Sequence, residues 1–195
     1  MQRGLLVTLT ATALRDSRGF DVLRSAESTA RRVLGWEPNF FHGLLQTRAY
    51  ARQTLSMFAR QENLEKQVDE RIRRQDVLAN ETCHFVFMMD ESAILRPAFE
   101  KGVLSEQIEH ALKVSALPHV EIFILPFSYQ APILMYSPFY ILERSANPDD
   151  DLLFCESPDG DILSHGDQLP ELISGRKSVI EHARSRAVRL DELLA

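Results

Sequence analysis

The sequence predicts an α+β fold, with N-terminal helices packed on a mostly antiparallel sheet of four or five strands and a helical C-terminus. Three observations carry this: helical periodicity through the first 80 residues, short β-branched and aromatic runs after residue 82, and turn signals between those runs. Apolar residues at 22, 23, 26, 30, 33 and 34 follow the spacing of a helix face, and Gly35 stands as a stop. Pro38 disfavours helical geometry at Glu37, so residues 36–43 read as a loop. A second helix is expected over 44–58. A third, over 64–78, has a narrow apolar stripe among dense charge.

Residues 82–89, Thr-Cys-His-Phe-Val-Phe-Met-Met, read as a buried strand. One helical turn at 92–95 halts before Pro97, and a helix over 104–117 ends at Pro118. Residues 119–125 form the strongest strand in the sequence, followed by strands over 138–144 and 152–156. The Ser157-Pro-Asp-Gly160 turn should fold the last of these back on a strand at 160–163 as a hairpin. A helical region over 169–194, with a break near Gly175, completes the chain.

The length of 195 residues suits one domain, placed at 22–195 after an extension of residues 1–21. Hydrophobic residues at 45 % and charged residues at 26 % are ordinary for a globular protein, which argues against disorder and coiled-coil structure. A net charge of −6 lacks the basic footprint of a nucleic-acid reader, so no direct sequence-specific DNA binding is expected. Charge is uneven: residues 143–171 hold nine acids and one base, while residues 1–35 hold six arginines and three acids. No apolar run is long enough to span a membrane, and residues 1–13 imitate a secretory signal only loosely, so a cytoplasmic protein is expected. Cys83 and Cys155, each in an apolar stretch, read as free buried thiols. The six histidines are scattered and never four apart, so neither a metal site nor a cofactor is expected.

The motifs of common hydrolases, zinc proteases and nucleotide-binding loops are absent. Three constellations remain. Gln46 and Tyr50 are four apart, so a helix would present an amide and a phenol side by side. Arg71, Arg74 and Gln75 share a helix face, and Asp90 and Glu91 follow a strand end, where functional side chains often sit. Read as a ligand site, Gln46, Tyr50, Arg71, Arg74, Gln75 and Glu91 line a pocket. Read as an enzyme, His42 or Glu91 is the acid–base group, Tyr50 and Gln46 orient substrate, and Arg71 or Arg74 receives an anion. Read as scaffold, Arg71 or Arg74 pairs with Glu91 and Gln75 caps loose backbone groups.

At these residues the sequence resembles the DUF5753 domain, also described as an antitoxin-like regulator domain of actinobacteria. That family's Pro-Gly-Leu-Leu-Gln-Thr-x-x-Tyr-Ala-Arg run stands here as His42 to Arg52, with His42 in place of proline. Its Arg-x-x-Arg-Gln corresponds to Arg71 to Gln75, and its Asp-Glu-x-x-Leu-Arg, with one more residue before the leucine, to Asp90, Glu91, Leu95 and Arg96. Leu125-Pro126-Phe127 and Glu156 match later motifs. The resemblance implies a domain that usually follows a helix-turn-helix, for which the forty-two residues before Gly43 leave no room. It therefore implies a regulatory or sensor module that binds a small protein, a DUF397-like one first, or a small molecule. An enzyme of natural-product biosynthesis is the alternative.

Overall fold

The computed structural model describes residues 10–14, 17–57, 61–95, 100–130, 132, 135–155, 161–165 and 169–193. Phe58, Arg96, Glu156 and the turn at 157–160 lie outside them. The strands are β1 (Thr10–Leu14), β2 (Arg32–Glu37), β3 (His84–Asp90), β4 (Val120–Leu125), β5 (Phe139–Glu143), β6 (Leu152–Cys155), β7 (Asp161–His165) and β8 (Val188–Arg189). The helices are α1 (Ser17–Thr29), α2 (Arg48–Ser56), α3 (Leu64–Arg74), α4 (Ser92–Leu95), α5 (Lys101–Ser115), α6 (Leu169–Arg184) and α7 (Leu190–Leu193).

Helices and sheet combine as expected, but the sheet is larger and more mixed. Eight strands run in the order β1-β7-β6-β5-β2-β3-β4-β8, and β2, β3 and β4 at its centre are parallel. The remaining pairings are antiparallel. The parallel centre follows from chain order: α2 and α3 connect β2 to β3, and α4 and α5 connect β3 to β4, crossovers long enough to return each strand in the same direction. Three strands are additions to the expectation: β1 from the N-terminal extension, β8 from the C-terminal helical region, and β2.

The miss at β2 has a physical cause. Strands buried on both faces carry continuous apolar runs rather than alternation, so Val33-Leu-Gly-Trp36 gave no period-two signal. Gly35 was expected to stop a helix; instead it admits close packing, because a Cβ there would lie 3.1 Å from His42 Cδ2 and 3.2 Å from Phe87 Cδ1. The expected helix over 22–34 accordingly ends at Thr29. The expected break near Gly175 is also displaced: α6 continues to Arg184, and the chain turns at 185–187 into β8. Leu44 and Leu45 lie in a 3-10 turn, Gly43–Leu45, ahead of α2.

Successive strand residues feed two cores. Val33, Phe85, Phe87, Met89, Ile122, Tyr140 and Phe154 face α1, α2, α5 and α7, meeting Leu23, Ala26, Tyr50, Ala111 and Leu190. Leu34, Trp36, Val86, Met88, Phe123, Ile141 and Leu153 face α6 through Ile173, Ile180 and Ala183. The sheet is thus a middle layer, with the motif-bearing helices on one face and α6 on the other. Lys177 of α6 bonds Glu143 at 2.7 Å and Asp151 at 2.8 Å, tying that helix to the ends of β5 and β6.

Candidate functional site

The motif residues assemble around the 3-10 turn at Gly43–Leu45, the connection from β2 to α2. His42 opens the turn: its Nδ1 accepts the Leu44 N–H at 3.2 Å. Gln46 is extended and Thr47 caps α2, its hydroxyl accepting the Tyr50 N–H. Gln46 and Tyr50 therefore do not share a helix face, but they do meet at one residue, Phe41. The Gln46 amide donates to Phe41 O at 2.7 Å, and the Phe41 N–H donates to the Tyr50 hydroxyl at 3.2 Å. From α3, Arg71 donates to Gln46 Oε1 at 3.0 Å, and the Gln75 amide donates to Gly43 O at 3.2 Å and Gln46 O at 2.6 Å. Gln75 thus caps loose carbonyls, as the scaffold reading anticipates.

Arg74 has a different partner from the one that reading names. Its Nε lies 2.9 Å from both carboxylate oxygens of Glu27 on α1, and its NH2 donates to the Tyr140 hydroxyl of β5 at 2.7 Å. The Arg74 side chain is 5 % exposed and that of Glu27 is fully buried, so three elements are clamped by one desolvated guanidinium. Gln107 of α5 completes the enclosure, accepting from Thr47 N at 2.8 Å and donating to Leu45 O at 2.6 Å. Glu27, Tyr140 and Gln107 were missed in the sequence. Glu27 had a signal: with Leu23 and Ala26 it occupies the buried stripe of α1, a lone charge on an apolar face.

His42 is 1 % exposed and packed between Phe87, whose ring is tilted to it, and Tyr140, which meets it edge-on, at centroid distances of 4.7 and 4.9 Å. Burial, then the Arg74 and Arg71 guanidiniums, hold its pKa well below the usual imidazole range, so it is neutral. Burial raises the Tyr50 phenol; the Phe41 bond opposes this and the Glu37 carboxylate adds to it. Burial likewise pushes the Cys83 thiol up to about 11 and raises that of Cys155, leaving both protonated and poorly nucleophilic. Among the described residues, no group of three or more His, Cys, Asp or Glu could hold a metal ion, and no helix is long and apolar enough to cross a membrane.

Asp90 and Glu91 stand apart from this network. Asp90 Oδ1 accepts the Ser92 N–H, and the Ser92 hydroxyl donates to Pro38 O, which pins α4 to the end of β2. Glu91 N donates to Leu125 O, and Glu91 Oε2 accepts the Phe127 N–H at 2.8 Å. Glu91 therefore fixes the chain as it leaves β4. That departing segment forms one wall of an open groove of about 630 Å³, whose other wall is the end of α6. Pro126, Tyr129 and Pro132 face His182 and Arg186 across it, with Ser128 and Gln130 at its edge. The Tyr129 and His182 rings lie 6.3 Å apart, and Trp36 Nε1 anchors the segment by donating to Met135 O at 2.7 Å. Phe127 and Tyr136, from the same segment, are 58 % and 75 % exposed.

Comparison with curated proteins returns no match. The family model described as a domain of unknown function, DUF5753, matches residues 20–192. That span takes in the turn at Gly43–Leu45, the arginine clamp, the Glu91 contact and both walls of the groove, and the chain belongs to the DUF5753 family.

Proposed function

We propose that this chain is a regulatory module that binds a small protein partner and does not turn over a substrate. The observation that carries the reading is the division of its polar groups. The residues arrayed for chemistry in the sequence are used internally: His42, Gln46, Tyr50, Arg71 and Gln75 bond one another or nearby backbone around a packed turn, and Arg74 bonds Glu27 and Tyr140. An acid–base role for His42 requires contact with a substrate, and its ring is enclosed by Phe87, Tyr140 and Gly35. Glu91, the other acid–base candidate, bonds a backbone N–H of the 126–132 segment.

A protein partner is favoured over a small molecule by the shape of the groove. Small-molecule sites enclose most of the ligand surface, whereas this groove is open and lined by Tyr129 and by exposed His182 and Arg186. Aromatic and arginine side chains are the residue types enriched in protein interfaces. The test is co-expression of the full chain with the product of a neighbouring gene, a DUF397-type protein first, followed by calorimetric titration of the purified pair. A one-to-one complex supports the reading. A chain that stays monodisperse and takes up none of its neighbours' products refutes it.

A further inference from the structure

The groove between residues 126–130 with Pro132 and the end of α6 combines an apolar wall with one that carries the Arg186 guanidinium. Pro126, Tyr129 and Pro132 supply rigid, weakly hydrated surface on one side. On the other, His182 and Arg186 are both exposed, and the Arg186 guanidinium engages no carboxylate among the described residues. Several other arginines do have such a partner. Arg74 pairs with Glu27, Arg184 with Glu121, Arg32 with Glu181, and Arg48 and Arg52 with Glu65. An exposed arginine with no carboxylate partner among the described residues, beside an aromatic groove, favours an anionic occupant.

We propose that this groove docks a short acidic segment of a protein partner, with a carboxylate on Arg186 and an adjacent apolar side chain laid against Tyr129 and the two prolines. The proposal rests on the reading of the chain as a partner-binding module and adds where that partner binds and what its segment must carry. A carboxylate accepts two parallel bonds from a guanidinium, which fixes the segment's direction. The apolar neighbour then covers the Tyr129 ring and excludes water from the ion pair. Glu91 is the positioning residue of this site: its bond to the Phe127 N–H sets where the 126–132 wall begins.

The test is selection of a random dodecapeptide display library on the full-length chain, followed by fluorescence anisotropy with the selected peptides. Selected sequences are expected to carry Asp or Glu next to an aromatic or leucine. Arg186→Glu should weaken them by roughly tenfold or more, the scale of one well-placed charged contact, and should shift a repeated selection toward Lys- and Arg-containing peptides. Glu91→Ala should weaken binding by a smaller factor and Glu91→Gln should restore it, because the amide oxygen still accepts the Phe127 N–H. Peptides without acidic residues, peptides that bind Arg186→Glu as tightly as the parent, or an empty selection overturn the proposal. So does concentration-dependent dimerisation abolished by Arg186→Glu, which would make a second copy the occupant. The whole-protein titration separates the two levels. A partner that binds the parent and Arg186→Glu equally leaves the module reading standing and removes the groove; a parent chain that binds neither a partner nor a peptide removes both.

Discussion

Arg74 and Arg186 sit on opposite faces of one sheet and have opposite fates. Arg74 is sealed among α1, α3 and β5 with Glu27 and Tyr140, while Arg186 stands at the mouth of a groove beyond the last turn of α6. The first lies in the most motif-rich stretch of the chain and the second in no motif at all. The contrast teaches that dense polar motifs here specify how the helices lock onto the sheet. His182 and Arg186, with nothing unusual in their sequence surroundings, border the open groove.

The largest expected effect comes from breaking the buried side of that contrast. Arg74→Met leaves the Glu27 carboxylate without its guanidinium in a fully buried place and should cost about 3–5 kcal/mol in urea unfolding. Adding Glu27→Leu to the same chain should recover much of the loss; a double variant no better than Arg74→Met would show that the pair does not act as a unit. Next is Gly35→Ala, where the new Cβ presses on the His42 and Phe87 rings and should cost about 1–3 kcal/mol. An unchanged urea midpoint would contradict the close packing of β2 against that turn.

A third measurement sharpens the comparison through pH. The folded-state pKa of His42 is lowered, so between that value and the ordinary 6.5 the unfolded chain binds the extra proton. Stability contributed by neutral His42 is therefore intact above about pH 6.5 and declines as pH falls below it, by at most about 1.4 kcal/mol per pH unit for one proton. Half-buried His110, lowered by burial and then by Lys113, contributes in the same direction. His42→Gln should flatten the decline between pH 6.5 and 5 without removing it, and identical slopes for parent and variant would discard the assignment. The smallest effect belongs to the open side. Arg186→Glu and His182→Ala, both exposed, should leave stability within about 0.5 kcal/mol. A larger loss would mean that the α6 end serves the fold.

What the sequence determined by itself is the set of elements whose patterns are local. The third helix and strands β3, β4, β5 and β6 stand within one or two residues of their expected ends where these are described, apart from the 3-10 turn Gln75–Ala79 that replaces the last part of the third helix. Each has one buried face, or a compact apolar run between turn signals. The motif residues were also legible as a group, and Gln75 caps backbone as one reading required. Tertiary structure alone decided β2, the partner of Arg74, and the groove. Arg32–Glu37 becomes a strand only because β5 and β3 pair with it on either side. Glu27 meets Arg74 across 47 residues of chain, and Tyr129 meets His182 only after β4, β8 and α6 are brought together. Periodicity records which face of one element is apolar; it carries no record of which distant charge a buried arginine finds, because that contact exists only once the sheet has assembled.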